Sequence, residues 1–123
     1  MMSLALAFSL MCVSPIRVID GDTIEVCNQE RKESVRIAHL DAPESYRPAC
    51  QKERILGLKA KEVAKRLFSS ATKVEINPSS RDRYGRKIAS VLVNGQDFAT
   101  YMIDNGHAVR WTPNKKHDWC KEQ

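Results

Sequence analysis

Three short islands in this sequence bring carboxylates and arginines together. They are Asp20-Gly21-Asp22-Thr23, then Arg36 followed by Asp41-Ala42-Pro43-Glu44, then Arg81-Asp82-Arg83-Tyr84-Gly85-Arg86. Hydrolysis of a phosphodiester needs this mixture of side chains. A fixed cation holds the phosphate, carboxylates hold a metal, and a base acts on water. Ordinary structure could use some of the same residues. Aspartates are common in hairpin turns because their side chains bond local amides. A strand that ends at a proline could carry an arginine and two acids by chance.

Composition limits the choices. The 123 residues and 14.0 kDa make one domain with a single core. Hydrophobic residues at 42% and charged residues at 28% are those of a globular protein. Twenty basic against fifteen acidic residues give +5, with a pI near 9.2, which favours a polyanionic partner. No segment reaches the ~20 apolar residues of a membrane span. The apolar start, residues 1–11, reads as a signal-peptide remnant or as the beginning of a first strand. Residues 12–123 read as the single folded domain, a monomer.

Cys12, Cys27, Cys50 and Cys120 form no C-x-x-C pair. His117 and Cys120 have the spacing of half a zinc site, with no second half. An even count in a small exported domain favours disulfides. A hairpin at Asp20-Gly21 would bring Cys12 to Cys27, leaving Cys50 for Cys120. On the chain-entropy model the short loop contributes roughly 3 kcal/mol and the long one roughly 4. These bridges point to a secreted or periplasmic protein. The alternative is four reduced thiols in the cytoplasm.

The elements that must position the islands follow from local pattern. Val13 to Ile19 and Thr23 to Val26 read as a hairpin about Asp20-Gly21-Asp22. Asn28 to Ser34 reads as a polar connection, and the stretch from Val35 as a third strand that breaks at Pro43. Gln51 to Ser69 is predicted helical, with Leu56, Ala60, Val63, Ala64, Leu67 and Phe68 on its apolar face. Lys73 to Ile76 is a fourth strand closed by Asn77-Pro78, Ser79 to Arg86 a charged loop, and Lys87 to Val93 a fifth strand. Asp97 to Asn105 is a short second helix with Gly106 as its terminal cap. The class is mainly β with α. Five strands with a helix between the third and fourth match an OB-fold barrel.

The three islands, in this order and nearly at these separations, resemble the signature of the staphylococcal (micrococcal) nuclease family. The resemblance runs from about Val13 to Trp111. It implies an OB-fold and a calcium-dependent endonuclease that cleaves DNA and RNA and leaves 3′-phosphate ends. Carried onto this chain, Arg36 and Arg86 grip the phosphate, each offering paired N–H donors that lysine lacks. Asp22, Asp41 and the Ala42 backbone carbonyl supply oxygen to Ca2+. Glu44 is the candidate general base. Arg83 and Tyr84 are candidates for substrate binding. Asp20 and Thr23 support the turn, and Asp82 holds Arg86 or its loop. His39 is expected to take a core or edge role.

The sequence departs from the family pattern in three places. Ala42 stands where a threonine is usual, which leaves a carbonyl ligand intact. The chain runs to Gln123, so no counterpart of the family's last long helix is expected, and Trp111 is the nearest equivalent of the family's tail tyrosines. A non-catalytic OB module for nucleic acid or protein is the competing reading. Such modules lack several of these positions, whereas Asp22, Arg36, Asp41, Glu44 and Arg86 are all present. By strand alternation Arg36 and Asp41 should face opposite ways, so a bend or bulge between them is required.

Overall fold

Strands β1 (Ile16–Asp20) and β2 (Thr23–Asn28) form the hairpin expected about Asp20-Gly21-Asp22, with a register shift between Val18 and Asp20. The computed structural model describes residues 16–29 and 31–121 of the chain. The 1–11 segment, the strand start at Val13 and the Cys12 partner of Cys27 lie outside the described residues. Strand β3 (Arg31–Ile37) pairs with β2 from Thr23↔Arg36 to Asn28↔Arg31. The connection expected over 28–34 is therefore much shorter. Arg31 and Lys32 are exposed while Val35 and Ile37 are buried, so the outer half of the strand carries no apolar signal.

After β3 come a two-residue strand β4 (Leu40–Asp41), helix α1 (Gln51–Ser69), β5 (Val74–Arg81), β6 (Lys87–Val93) and β7 (Gln96–Asp97). Helix α2 (Phe98–Asp104) and β8 (Val109–Arg110) complete the described elements. The main sheet is ordered β1-β2-β3-β6-β5, with β3 and β6 parallel and the other neighbours antiparallel. That order, with α1 inserted between the third and fourth long strands, is the OB-fold. β5 runs into the expected loop, through Pro78, to Arg81. Proline is tolerated because β5 ends the strand order and shifts register between Pro78 and Ser80.

The core lies between the sheet and the two helices. Ile24, Val35, Ile37, Leu40, Val91, Phe98 and Met102 are fully buried, and each contributes roughly 1.5–3 kcal/mol by leaving water. Phe68 stacks on Phe98 at 5.1 Å between ring centroids. The buried stripe of α1 is narrower than its apolar pattern: Glu53, Gly57, Ala60 and Ala64 lie inside, while Leu56 is half-buried. Small residues let α1 approach β1 and the loop after β4 closely. α2 is capped by Asp97, whose Oδ2 accepts from the Thr100 amide at 2.9 Å. A disulfide joins Cys50 to Cys120. Among the described residues no helix is long and apolar enough to cross a membrane.

Candidate active site

The β1–β2 turn delivers the first island by close packing. A Cβ at Gly21 would lie 3.0 Å from Ala60 Cβ and 3.1 Å from Ala42 Cβ, so the turn is wedged between α1 and the segment after β4. Asp22 turns its carboxylate to that segment. Its Oδ2 accepts from the Ala42 amide at 2.9 Å and its Oδ1 from the Thr23 hydroxyl at 3.0 Å. Asp20 is not a local turn former. Its Oδ1 reaches Ser45, accepting from the amide at 3.0 Å and from the hydroxyl at 2.6 Å.

The required bend between Arg36 and Asp41 lies at Ala38-His39, before Pro43. His39 has φ 79, a conformation uncommon outside glycine, and its carbonyl accepts from the Trp111 amide at 3.0 Å. His39 is thus a turn residue lining the cleft rather than part of a strand. Beyond the turn, β4 leaves the main sheet and pairs with β8 through Asp41↔Val109. The left-handed turn and the change of sheet reorient the chain, and Arg36 and Asp41 line the same cleft. Arg36 donates to the Ile37 carbonyl at 2.8 Å and lies 3.6 Å from Asp22 Oδ2.

Glu44 is fixed by residues that carry no motif. Glu53, in the first turn of α1 and 3% exposed, accepts from the Glu44 amide at 3.1 Å and the Ala49 amide at 2.8 Å. It occupies the acidic position of a capping box, but its oxygens serve the loop that precedes the N-cap Cys50. Gly57 lies against the Glu44 carbonyl group, where a Cβ would come within 2.6 Å of the oxygen. An isolated glycine inside a helical pattern was the one sequence signal for this contact. At the other end, Lys116 Nζ lies 2.6 Å from Glu44 Oε2. The hydrogen bond to Glu44 raises the Lys116 pKa above its ordinary value, against the opposing effect of partial burial.

The third island is a turn organised by Asp82. Its Oδ1 accepts from the Tyr84 and Arg86 amides at 3.0 and 2.9 Å, and its Oδ2 from Arg86 Nε at 2.7 Å. Burial disfavours the Asp82 charge, yet the hydrogen bonds and charge of Arg86 together hold its carboxyl below the ordinary range. Tyr84 is 71% exposed, with the Arg83 and Arg86 guanidinium carbons 5.1 and 5.6 Å from its ring centroid.

These residues line one open cleft of about 1340 Å³, with Asp20, Asp22, Thr23, Arg36, Asp41, Ala42, Glu44, Asp82, Arg83, Tyr84 and Arg86 all on its wall. Tyr46, Arg47, Trp111 and Lys116 complete the rim. Among the described residues no three His, Cys, Asp or Glu side chains converge as a ready metal cage. Asp22 and Asp41 nevertheless form a buried like-charge pair, each 7% exposed. Burial, and to a lesser degree the Asp41 charge, raises the Asp22 pKa against the lowering effect of Arg36. Two desolvated carboxylates beside a backbone carbonyl suit a hard cation that takes its remaining ligands from water. Cys120 is spent in its disulfide, so the His117–Cys120 spacing does not serve zinc.

Known proteins match this chain in sequence. The family described as staphylococcal nuclease homologue matches residues 34–122. The thermonuclease of Staphylococcus hyicus is 32% identical over 111 residues, covering 88% of this chain and 65% of that protein. The thermonuclease of Staphylococcus intermedius is 29% identical over 109 residues, 87% of this chain and 65% of that protein. Endonuclease YncB of Bacillus subtilis is 33% identical over 114 residues, 88% of this chain and 53% of that protein. The chain thus spans between 53% and 65% of the length of these relatives. With that match and the islands gathered in one cleft, the chain belongs to the staphylococcal nuclease homologue family.

Proposed function

We propose that this chain is a calcium-dependent endonuclease that hydrolyses DNA and RNA with little sequence preference and leaves 3′-phosphate ends. One observation carries the reading: Asp22, Arg36, Asp41, Glu44 and Arg86, from three separate islands, line a single cleft. Asp22, Asp41 and the Ala42 carbonyl would hold the calcium ion. When bound, the ion neutralises charge on the phosphate and polarises its phosphorus–oxygen bonds. Arg36 and Arg86 hold the equatorial oxygens as negative charge builds there. Glu44 orients a water molecule, or takes its proton, for attack on phosphorus in line with the departing 5′-oxygen. Loss of one charge-stabilising donor costs on the order of 10²–10³-fold, and loss of the base on the order of 10²–10⁴-fold. Arg83 and Tyr84 form the wall on which substrate rests, a base or sugar against the exposed ring.

The net charge of +5 favours capture of a polyanion. The Cys50–Cys120 disulfide supports residence in an oxidising compartment, outside the cytoplasm. The whole of residues 12–123 would then be one nuclease domain acting as a monomer. End-group analysis of the digestion products tests the reaction. Fragments that accept a 5′-phosphate from a kinase without prior phosphatase treatment, and whose 3′ ends resist polymerase until dephosphorylated, are expected. Products with 5′-phosphates and free 3′-hydroxyls would mean that the other phosphorus–oxygen bond breaks, and the roles of Glu44, Arg36 and Arg86 in expelling the 5′-oxygen would fall.

A further inference from the structure

The segment after β8 crosses the cleft wall without regular structure and touches the site twice. The His117 amide donates to Asp41 Oδ2 at 3.1 Å, and Lys116 Nζ lies 2.6 Å from Glu44 Oε2. The segment is itself folded back: Thr112 bridges to Lys115 and its hydroxyl donates to the Lys115 carbonyl at 3.2 Å. Four residues beyond Lys116, Cys120 is bonded to Cys50. Cys50 is the N-cap of α1, with its sulfur accepting from the Glu53 amide at 3.4 Å, and Glu53 in turn holds the Glu44 amide. Glu44 is therefore gripped at its backbone through α1 and at its carboxylate through the tail. Both grips converge on one disulfide.

Lys116 has a side chain 64% exposed, and exposed ion pairs contribute little to stability. A lysine stem also loses much rotamer freedom when held to one partner. The contact therefore needs its backbone anchored nearby, which the His117 amide and the disulfide provide. The lysine reaches the carboxylate itself, through Oε2. We propose that Lys116 is a positioning residue for the Glu44 carboxylate, and that the Cys50–Cys120 disulfide is the tether that keeps it there. The role of Glu44 in this inference rests on the nuclease reading; the tethered contact does not.

The test compares the oxidised full chain with Lys116→Ala, Lys116→Arg, a Cys50→Ser/Cys120→Ser variant, and that variant combined with Lys116→Ala. Lys116→Ala should melt like the parent and lose about tenfold in kcat with KM little changed, a cost in line with a displaced catalytic group. Lys116→Arg should recover most of the loss. Because serine keeps an N-cap acceptor at position 50, the backbone grip through α1 survives, and removing the disulfide should lower kcat in the parent but add nothing once Lys116 is alanine. An unchanged or increased kcat in Lys116→Ala, or losses that multiply, would overturn the proposal. The carboxyl ¹³C shift of Glu44 gives a readout without turnover. It should move alike, and not additively, on loss of Lys116 and on loss of the disulfide, and a shift indifferent to both would overturn the tethered contact. If the parent protein itself fails to cut nucleic acid, the nuclease reading fails, and the shift still decides whether Lys116 holds Glu44.

Discussion

Gly57 lies so close to Glu44 that a Cβ on the helix would meet the Glu44 carbonyl carbon at 2.5 Å and its oxygen at 2.6 Å. The obstructing atoms are backbone, so no rotamer change relieves them. Gly57→Ala should therefore cost about 1–3 kcal/mol through overpacking, offsetting the ~1 kcal/mol that alanine gains in a helix interior. Because the displaced segment carries Glu44, activity should fall further than stability does. Urea unfolding and nuclease assays on the same preparation check this. Stabilisation with full activity would mean that the helix yields freely and that Gly57 does not set the site.

Glu53 makes a second prediction about the same carboxylate. Glu53→Ala leaves the Glu44 and Ala49 amides without their acceptor, at about 1–3 kcal/mol for each group stranded away from water. Glu53→Gln keeps one acceptor oxygen and should lose less. The order alanine worse than glutamine, in both melting temperature and kcat, is expected. Equal effects would mean that the charge of Glu53 matters and its two hydrogen bonds do not.

Asp22 and Asp82 should depend on pH in opposite ways. The Asp82 pKa is lowered on folding, so its stabilisation is present above the ordinary value of 3.8 and is lost as pH falls through the lower folded value. The Asp22 pKa is raised, chiefly by burial. Its contribution is complete below 3.8 and is lost as pH rises through the raised folded value. With chelator present at neutral pH, Asp22→Asn should melt above the parent and Asp82→Asn below it. Both differences should fade in strong acid. A lower melting temperature for Asp22→Asn at neutral pH would show that Arg36 already compensates the buried charge.

Much of the site was legible because its chemistry sits in short contiguous islands. Asp-Gly-Asp marks its own turn, and the sequence from Asp82 to Arg86 closes a loop with its own side chains. The helix at Gln51–Ser69 was likewise readable from its period. What escaped depends on distant partners. Asp20 looked like a local turn residue because its bond to Ser45 spans 25 residues. The bend at His39 has no glycine to announce it. Pro78 looked like a strand end, yet the strand order and a register shift absorb it. Lys116 meets Glu44 across 72 residues, and no spacing rule connects them. Local chemistry was written in the sequence, while the supports of Glu44 came only with the packed fold.

The central claim, that the three islands form one metal-dependent site for phosphodiester hydrolysis, is tested most directly on heat-denatured DNA. The purified protein is assayed with calcium, then with excess chelator, then with calcium restored, beside Glu44→Gln and Arg86→Ala. The account predicts degradation that stops with chelator and returns with calcium, and losses of about 10²-fold or more in each variant while its melting curve stays cooperative. Absence of calcium-dependent cleavage at any pH from neutral to alkaline, or parental activity in either variant, would contradict it.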